Sequence, residues 1–380
     1  MKPIVSVVVP TKNRYKYLKL LISLIESFND SRIELLVHDN SDDNAEIKKF
    51  LQGKSLLSTR YYYDPDKLSM CENAERGINK ANGEYICFIG DDDAVCRNIA
   101  DCAEWMSVNQ IDAVRSLYLQ YSWNEGSGGN KGYVYYENLS CEYQIGDPVK
   151  ELKTVLNNGV PEFGHMAKIY HGIVKKSILE EVQKCGGCLF PGPTPDMSGA
   201  VSIAFFIKRY VMLEVPIVIP GMSCMVGGGV MGKVLALNDV AFITDSDRMR
   251  WPSDYPPLWA TELIWPVCAL NALRSINRDN YIKELNKNKM LSRLVAVHRT
   301  YFKEAFRYAD IKMAFICEFV SYFIREGFAY VYENQIKSRI SGKLLGKYTV
   351  VNGFESIANA EAYLMDLIRD FSFNNIIIKD

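Results

Sequence analysis

The most informative segment of this 380-residue chain is Gly83-Glu84-Tyr85-Ile86-Cys87-Phe88-Ile89-Gly90-Asp91-Asp92-Asp93. A turn residue opens it, an apolar run follows and three carboxylates close it, which predicts a buried strand ended by an acidic loop. Carboxylates this close repel one another, at a cost on the order of 1–3 kcal/mol per contact at intermediate dielectric. Mg²⁺ and Mn²⁺ prefer oxygen ligands, so we expect a divalent ion here; a solvated acidic turn is the alternative.

Strand and helix patterns alternate before this segment. Apolar runs predict strands at residues 4–9, 33–38 and 59–63, and apolar residues at helical spacing predict helices at 15–28, 45–51 and 71–82. Such alternation predicts an α/β fold with a mostly parallel central sheet flanked by helices. Ligands bind outside the carboxyl ends of the strands in sheets of this kind. The polar segments 10–14, 39–41 and 91–93 all follow predicted strands, so we expect them to form one site.

The rest of the chain changes character twice. Residues 122–145 have the composition of a hairpin or a loop insertion, and the part that follows is mixed and rich in Gly and Pro. From about residue 238 the pattern becomes helical, with helices predicted at 258–276, 279–307, 310–334 and 357–371. We therefore expect a C-terminal region that is mainly helical.

Composition excludes some classes of function. The chain is 48% hydrophobic and 23% charged with a formal net charge of -1, which gives no reason to expect nucleic acid as a partner. The start, Met1-Lys2-Pro3, lacks a signal-peptide pattern, and no uninterrupted apolar run reaches ~18 residues. Several of the ten cysteines lie in apolar runs, as buried reduced thiols do. We expect a cytoplasmic protein that contacts a membrane only at its surface.

Four motif segments resemble those of glycosyltransferase family 2. Ser6–Arg14, Val37–Ser41, Asn82–Ile86 and Asp91–Asp93 occur in the family's order over roughly 95 residues. The resemblance implies a GT-A fold and an inverting transfer of sugar from a nucleotide-diphosphate donor, with a UDP-sugar expected. It implies a saccharide or lipid-linked saccharide as acceptor, and bacterial surface polysaccharide biosynthesis as the context.

The resemblance also assigns roles to residues of the predicted site. It makes Asp91, Asp92 and Asp93 the DXD-type motif that binds Mn²⁺ or Mg²⁺. Many relatives have Asp where this chain has Gly90, so either Asp91 with Asp93, or Asp92, is the main ligand. The residues that the resemblance assigns to the nucleotide sugar are Pro10, Thr11, Asn13, Arg14, Asp39, Asn40, Ser41, Asn73, Asp91 and Asp92.

An inverting transfer needs a base that takes the proton of the acceptor hydroxyl. The family places an acidic residue at a helix start about a hundred positions after the metal motif, and Asp196, after a Pro-rich turn, matches it. An Asp at such a position is also a favoured helix cap, which is the structural alternative. The acidic rivals for the base are Glu162, Glu180 and Glu181.

We expect the chain to divide into three parts. The resemblance implies that residues 1–120 are the nucleotide-sugar-binding half of the GT-A domain and 121–237 the acceptor-binding half, and the helical pattern sets 238–380 apart as the helical C-terminal region. Between residues 283 and 347 basic side chains outnumber acidic ones, which is typical of a solvated helix face. Those basic helices could also approach anionic lipid, so we expect peripheral contact with the inner membrane face.

Two other functions fit parts of the same pattern. A non-catalytic nucleotide-sugar-binding or assembly protein could use the same fold, because fold alone does not fix function. The intact acidic cluster together with Asp196 argues against that function. A nucleotidyltransferase shares the metal–carboxylate chemistry, but it normally has a Gly-rich loop after the first strand. Residues 10–14 contain no Gly.

Overall fold

The computed structural model describes residues 2–123, 132–137, 139–224, 233–240, 243–331 and 349–378. Its strands are β1 (Val5–Thr11), β2 (Ile33–Asp39), β3 (Thr59–Tyr63), β4 (Tyr85–Phe88), β5 (Ala94–Val95), β6 (Ala113–Arg115), β7 (Leu119–Ser122), β8 (Gly132–Tyr136), β9 (Glu142–Gly146), β10 (Gly172–Lys175), β11 (Tyr210–Leu213), β12 (Val218–Ile219), β13 (Gly221–Met222), β14 (Leu235–Ala236), β15 (Leu258–Trp259), β16 (Thr349–Phe354) and β17 (Ile377–Ile378). Its α-helices are α1 (Tyr15–Ser27), α2 (Ala45–Leu51), α3 (Met70–Lys80), α4 (Ile99–Val108), α5 (Pro148–Asn157), α6 (Lys176–Gly186), α7 (Pro195–Ile203), α8 (Asp245–Met249), α9 (Thr261–Ser275), α10 (Lys287–Val297), α11 (Phe302–Tyr308), α12 (Lys312–Val331) and α13 (Ile357–Leu367).

A mostly parallel sheet forms the centre of the molecule, in the order β17-β9-β11-β6-β10-β4-β1-β2-β3. Strand β1 is parallel to both β2 and β4, whereas β10 runs antiparallel to β4 and β6. Successive side chains of a strand face opposite sides of a sheet. Val7 therefore packs in the core on one face and Val8 in the core on the other, and both are fully buried. This arrangement confirms the predicted α/β class.

Local sequence explains how α3 comes to lie against the strands that carry the site. Ser69 and Glu72 form a capping box that begins the helix. Gly77 lets the helix approach closely, because a Cβ there would lie 2.9 Å from Val8 Cγ1. As a result Asn73, on the first turns of α3, lies beneath the ends of β1 and β2.

The helical region, from α8 to α12, has a core of its own that includes Trp251, Leu263 and Met290. Its helices confirm the predicted mainly helical character, but the single helix predicted at 279–307 is wrong. That segment is a 3-10 turn at Asp279–Glu284, then α10, a second 3-10 turn at Arg299–Tyr301, and α11. The side chain of Asn286 caps α10 at its start by accepting a hydrogen bond from Lys289 N, and α10 ends at Val297, before the non-helical residue His298.

The last described residues return to the N-terminal half. Strand β16 pairs with β8 of the antiparallel hairpin β7–β8, which lies where a hairpin or insertion was predicted, and β17 pairs with β9. Helix α13 packs in the same core as β1. The predicted region 238–380 therefore holds both the separate helical core and a segment that completes the sheets. In the described ranges no helix has the length and apolar character needed to cross a membrane.

Candidate active site

Side chains from three strand ends meet around the acidic loop. Thr11 Oγ1, at the end of β1, donates to Asp91 Oδ2 at 2.6 Å. The Arg14 guanidinium bridges two carboxylates, with Nε 3.1 Å from Asp91 Oδ1 and Nη2 2.7 Å from Asp92 Oδ2. Ser223 Oγ donates to Asp92 Oδ2 at 2.6 Å and accepts from Arg14 Nη2 at 2.9 Å. The structure thus brings together four of the predicted residues and adds Ser223.

Asp93 has a different environment, because protein donors occupy both of its oxygens. Its Oδ2 lies 2.6 Å from Gly90 N and 2.6 Å from His171 Nε2, and its Oδ1 accepts from Gly221 N at 2.6 Å. Burial acts to raise the pKa of Asp93, but His171 and the two backbone N–H groups hold it below its usual value. His171 has a left-handed backbone with φ of 62°. These contacts hold the Asp93 carboxylate in place, so Asp93 stabilises the conformation of the acidic loop.

The other two carboxylates carry more negative charge than the protein offsets. Burial raises the pKa of Asp91 to about 7, although Arg14 acts against the shift. Burial and the neighbouring Asp93 raise the pKa of Asp92 in the same way. Asp91 Oδ1 is buried and lies 3.1 Å from Arg14 Nε, but among the described residues no donor makes a well-aligned hydrogen bond to it. A cation at these two side chains would relieve that cost.

A divalent ion fits Asp91 and Asp92 better than it fits all three carboxylates. Among the described residues, no group of three or more His, Cys, Asp or Glu side chains is arranged to hold a metal. One reason is that Gly90 N, His171 Nε2 and Gly221 N already contact the two carboxylate oxygens of Asp93. Arg14 pairs with both Asp91 and Asp92. An ion there would have to displace the guanidinium or share the two carboxylates with it. The three-carboxylate ligand set stays a prediction.

The predicted residues on the first two strand-end loops contact one another. Asn13 N donates to Ser41 Oγ at 2.7 Å, and Asn13 adopts a left-handed backbone with φ of 58°. Asn73 Oδ1 lies 2.7 Å from His38 Nδ1, while its Nδ2 donates to Thr11 O at 3.3 Å. Asn73 therefore supports the ends of β1 and β2 from below.

Asp39, Asn40 and Pro10 hold the backbone of this region in place. Asp39 is fully buried and accepts from Tyr15 Oη at 2.7 Å, from Tyr61 Oη at 2.6 Å and from Ser41 N at 2.9 Å. Asn40 Nδ2 donates to the carbonyl oxygens of Asp64 and Asp66 at 2.8 and 2.6 Å. Pro10 is half-buried within β1, opposite His38 of β2. The proposed nucleotide contacts of these three residues stay predictions.

Asp196 lies in the first turn of α7, but it is not the cap. Thr194 occupies the N-cap position and donates to Asp196 Oδ1 at 2.5 Å. Met197 N donates to the same oxygen at 2.8 Å, and Trp265 Nε1 donates to Asp196 Oδ2 at 2.9 Å. The half-buried carboxylate is thus held in one orientation by three donors.

Two side chains lie within electrostatic range of both Asp196 and the acidic loop. Burial raises the pKa of Tyr170, and the charges of Asp93, Asp92, Asp196 and Asp91 raise it further. Burial and Arg115 lower the pKa of Lys168 to about 7, whereas Asp93 and Asp196 act against that shift. Because both groups respond to Asp93 and to Asp196, these two carboxylates belong to one electrostatic environment.

Sequence reasoning missed Ser223, Tyr170 and Lys168. Ser223 is 131 positions from its partner Asp92, and no local pattern signals that contact. Tyr170 and Lys168 belong to none of the motifs that the sequence shows. Of the rival bases, Glu162, Glu180 and Glu181 are all exposed.

Known proteins resemble parts of this chain. The family model described as "Glycosyl transferase family 2" matches residues 6–155. "Glycosyltransferase GlyG" of Streptococcus pneumoniae serotype 4 is 30% identical over 197 residues, which are 50% of this chain and 62% of that protein. "GalNAc(5)-diNAcBac-PP-undecaprenol beta-1,3-glucosyltransferase" of Campylobacter jejuni is 33% identical over 98 residues, 24% of this chain and 30% of that protein. The chain therefore spans less than two thirds of either relative.

A solved structure is similar over a longer range. TarS 1–349 of S. aureus in complex with UDP-GlcNAc is 14% identical, with a TM-score of 0.47, over 83% of this chain and 91% of that one. The family match itself begins inside β1, includes the acidic loop and ends within α5. Asp196 lies beyond it. Over residues 6–155, which include the acidic loop, the chain is therefore similar to glycosyl transferase family 2.

Proposed function

We propose that this protein is an inverting glycosyltransferase that moves a sugar from a nucleotide-diphosphate donor, a UDP-sugar, to a saccharide or lipid-linked saccharide. The observation that carries the proposal is the cluster of Thr11, Arg14, Asp91 and Asp92 at the carboxyl ends of the parallel strands. Ligands bind at that edge of such sheets. The curated relatives are a glycosyltransferase and an undecaprenol-linked glucosyltransferase by name, which supports the same reaction class.

Asp91 and Asp92 would hold Mn²⁺ or Mg²⁺ together with the donor diphosphate. The bound ion would supply positive charge that offsets the negative charge of the departing diphosphate. Arg14, which pairs with both carboxylates, would then be free to contact a phosphate oxygen. Asp93, held by His171 and two backbone N–H groups, would keep the loop in shape.

Asp196 would accept the proton of the acceptor hydroxyl as that oxygen attacks the sugar carbon. The donors Thr194, Met197 and Trp265 fix its orientation. Oδ1 accepts two of these hydrogen bonds and Oδ2 only one, so Oδ2 retains room for the acceptor hydroxyl. A single displacement of this kind inverts the configuration at that carbon and forms no bond between sugar and protein.

The cellular setting of this reaction would be the assembly of bacterial surface polysaccharide at the inner membrane face. The protein would be cytoplasmic and contact the membrane through its helical region. On α12 the apolar residues Met313, Ile316, Val320 and Phe323 are exposed, with Lys312 and Arg325 on the same helix. Such a face suits an interface with anionic lipid. Four of the basic residues predicted to contribute, Lys337, Arg339, Lys343 and Lys347, lie outside the described residues.

The test is a transfer assay with a panel of nucleotide sugars, in Mn²⁺ or in excess EDTA, with a lipid-linked saccharide as acceptor. We expect release of a nucleoside diphosphate and a product whose anomeric configuration, read by NMR, is opposite to that of the donor. Release of pyrophosphate from a nucleoside triphosphate would instead identify a nucleotidyltransferase. Nucleotide-sugar binding without turnover on any acceptor would favour the non-catalytic alternative.

A further inference from the structure

Two half-buried aromatic side chains lie beside Asp196. Trp265, in α9, donates from Nε1 to Asp196 Oδ2 at 2.9 Å. The Phe163 ring packs on the Trp265 ring, with the centroids 4.9 Å apart and the ring planes at 59°. Each ring buries part of its surface against the core that contains residues of α7 and α9, and leaves the rest exposed. Phe163 and Trp265 together form an aromatic wall next to the candidate base.

Backbone contacts hold Phe163 in its position in the wall. The carbonyl oxygen of Phe163 accepts a hydrogen bond from Met166 N at 3.0 Å, and Met166 is fully buried in the same core. The carbonyl oxygen of the next residue, Gly164, accepts from Arg115 Nη1. A surface that is already fixed in this way loses little conformational entropy when a ligand binds to it.

Lys168 relates the aromatic wall to the acidic loop. Its Nζ lies 5.5 Å from the centroid of the Phe163 ring. The charges of Asp93 and Asp196 both act on Lys168, so its ammonium group lies within electrostatic range of the acidic loop and of the candidate base. Phe163 is therefore close to a group that lies near both, as a side chain that contacts an acceptor between donor and base has to be.

A hydroxyl that Asp196 deprotonates must come close to Trp265. A general base acts on a hydroxyl at roughly 2.6–3.2 Å between heavy atoms. Asp196 Oδ1 already accepts from Thr194 Oγ1 and Met197 N, whereas in the described part of the chain Oδ2 accepts only from Trp265 Nε1. The open position for the hydroxyl is on Oδ2, beside the indole. The sugar ring that carries the hydroxyl then lies next to the aromatic wall.

We infer, resting on the proposed function, that the aromatic wall binds the terminal pyranose ring of the acceptor, with Phe163 as a specificity-determining residue and Trp265 as a positioning residue for Asp196. A pyranose ring presents C–H groups on its face, and this apolar surface packs on exposed aromatic rings that otherwise face water. The hydroxyls at the edge of the ring stay free, and one of them donates to Asp196 Oδ2. An acyclic polyol has no such face, so the wall favours a cyclic acceptor. Because Trp265 belongs to α9, the helical region contributes to the acceptor site.

The first experiment measures saccharide binding to the full chain without turnover, by saturation-transfer NMR in the presence of UDP and Mn²⁺. The probes are the methyl β-pyranosides of glucose, galactose and N-acetylglucosamine, and acyclic sorbitol. Irradiation of aromatic protons should saturate the C–H protons on one face of a pyranoside and none of sorbitol. Phe163→Leu should weaken binding of that pyranoside about tenfold, and Phe163→Tyr, which keeps the ring, should bind it as the wild type does.

Phe371→Leu is the matched control, because Phe371 is also half-buried, and this variant should bind the pyranoside normally. Saturation of no pyranoside by the wild type, or equal saturation of sorbitol, would overturn the inference. Unchanged binding in Phe163→Leu, with a normal melting curve, would overturn it as well.

The second experiment measures transfer to the pyranoside that binds. Phe163→Leu should raise KM for this acceptor about tenfold with kcat unchanged. Trp265→Phe keeps an aromatic ring but removes the N–H group, so it should lower kcat about tenfold or more with KM close to that of the wild type. A change in KM alone would overturn the positioning role of Trp265.

The two experiments together separate the inference from the proposed function. If the wild type transfers no sugar while pyranoside binding responds to Phe163→Leu as expected, the proposed function fails and the saccharide site stands. If the wild type transfers sugar and both variants keep its KM and kcat, the proposed function stands and the aromatic wall is not the acceptor site.

Discussion

Arg14 and Arg76 each bridge two carboxylates, and their surroundings make the two ion-pair bridges contribute differently to stability. Arg14 contacts Asp91 and Asp92, whose side chains are only 3% and 8% exposed. Arg76 contacts Asp64 and Asp66 at 2.5 and 2.9 Å, but its own side chain is 44% exposed. Buried carboxylates that lose their cation keep an uncompensated charge, whereas exposed ones are solvated and screened.

Arg14→Gln should therefore destabilise the metal-free protein by about 3–5 kcal/mol at pH 8, and Arg76→Gln by less than about 1 kcal/mol. Mn²⁺ should restore more stability to the Arg14 variant than it adds to the wild type, because the ion no longer competes with the guanidinium. Urea denaturation with EDTA and with Mn²⁺ measures both effects. Equal losses for the two variants would mean that Arg14 does not offset the acidic loop.

Stability should also depend on pH through Asp91. Burial raises its pKa to about 7, from ~3.9 in an unfolded chain. Between roughly pH 4 and pH 7 the folded protein binds more protons than the unfolded one, so this group makes the free energy of unfolding fall as pH rises. Asp91→Asn removes this titration. Between pH 5 and pH 8 in EDTA, the free energy of unfolding of the variant should rise relative to that of the wild type by up to a few kcal/mol. Asp370→Asn, on a 98% exposed side chain, is the control. A pH-independent difference between Asp91→Asn and the wild type would contradict the raised pKa.

Asp196 carries the catalytic part of the proposal. Asp196→Asn keeps an oxygen that can accept from Thr194 and Met197, but its amide nitrogen then faces Trp265 Nε1 and one hydrogen bond is lost. The variant should therefore stay folded with a melting temperature lower by a few degrees, the effect of about 1–3 kcal/mol. Loss of a general base should lower kcat by ~10²–10⁴ while the Kd for the donor nucleotide stays the same. Transfer assays measure kcat, and calorimetry measures the Kd for the donor nucleotide. Normal turnover in this variant would leave Asp196 with a structural role and direct the search to Glu162, Glu180 and Glu181.

At the scale of elements, an ion pair joins α13 to the segment just before α4, and its two side chains differ in how far they are buried. Glu361 is fully buried and accepts from Arg97 N, Nε and Nη2 at 3.0, 3.0 and 2.8 Å. The Arg97 side chain is 56% exposed. Removing the arginine leaves a buried carboxylate unpaired, but removing the glutamate leaves a cation that water can reach.

Arg97→Ala should for this reason cost more stability, about 3–5 kcal/mol, than Glu361→Leu, about 1–3 kcal/mol. Urea denaturation of the two variants at pH 7 gives the order directly. The reverse order would show that the apolar packing of α13, rather than the charge on Glu361, decides how firmly the helix is held.

Elements that depend on local sequence were predictable, and those that depend on distant partners were not. The β-branched run of β1 and the periodicity of α1 gave bounds within about two residues of those observed, because neighbours in sequence determine them. The pairing of Thr349 with Tyr136 joins residues more than two hundred positions apart, and no pattern signals it. Within the site, the same contrast separates Thr11, the last residue of β1, from Ser223, which lies 131 positions from its partner Asp92.

At the scale of the whole molecule, the last described segment adds β16 and β17 to two sheets whose other strands all lie between residues 5 and 222. Helix α13 contributes Ile357 and Leu364 to the core that contains β1, and Phe373 joins the same core. Strand β5, which follows Asp93 directly, lies in that core as well. The acidic loop thus depends for its position on residues from both ends of the chain.

A chain that ends at residue 348 should lose stability and nucleotide affinity together. It lacks Ile357, Leu364 and Phe373, which are 1%, 0% and 7% exposed, and burying each such side chain contributes about 1.5–3 kcal/mol. The melting temperature should fall by roughly 10 °C or more. The double variant Val350→Thr with Ile377→Thr keeps the segment and changes two residues that are 56% and 66% exposed, so it should melt as the wild type does. Differential scanning calorimetry with and without UDP and Mn²⁺ tests both expectations. If the shortened chain kept its melting temperature and its stabilisation by UDP, the returning segment would be an accessory to the domain rather than part of its core.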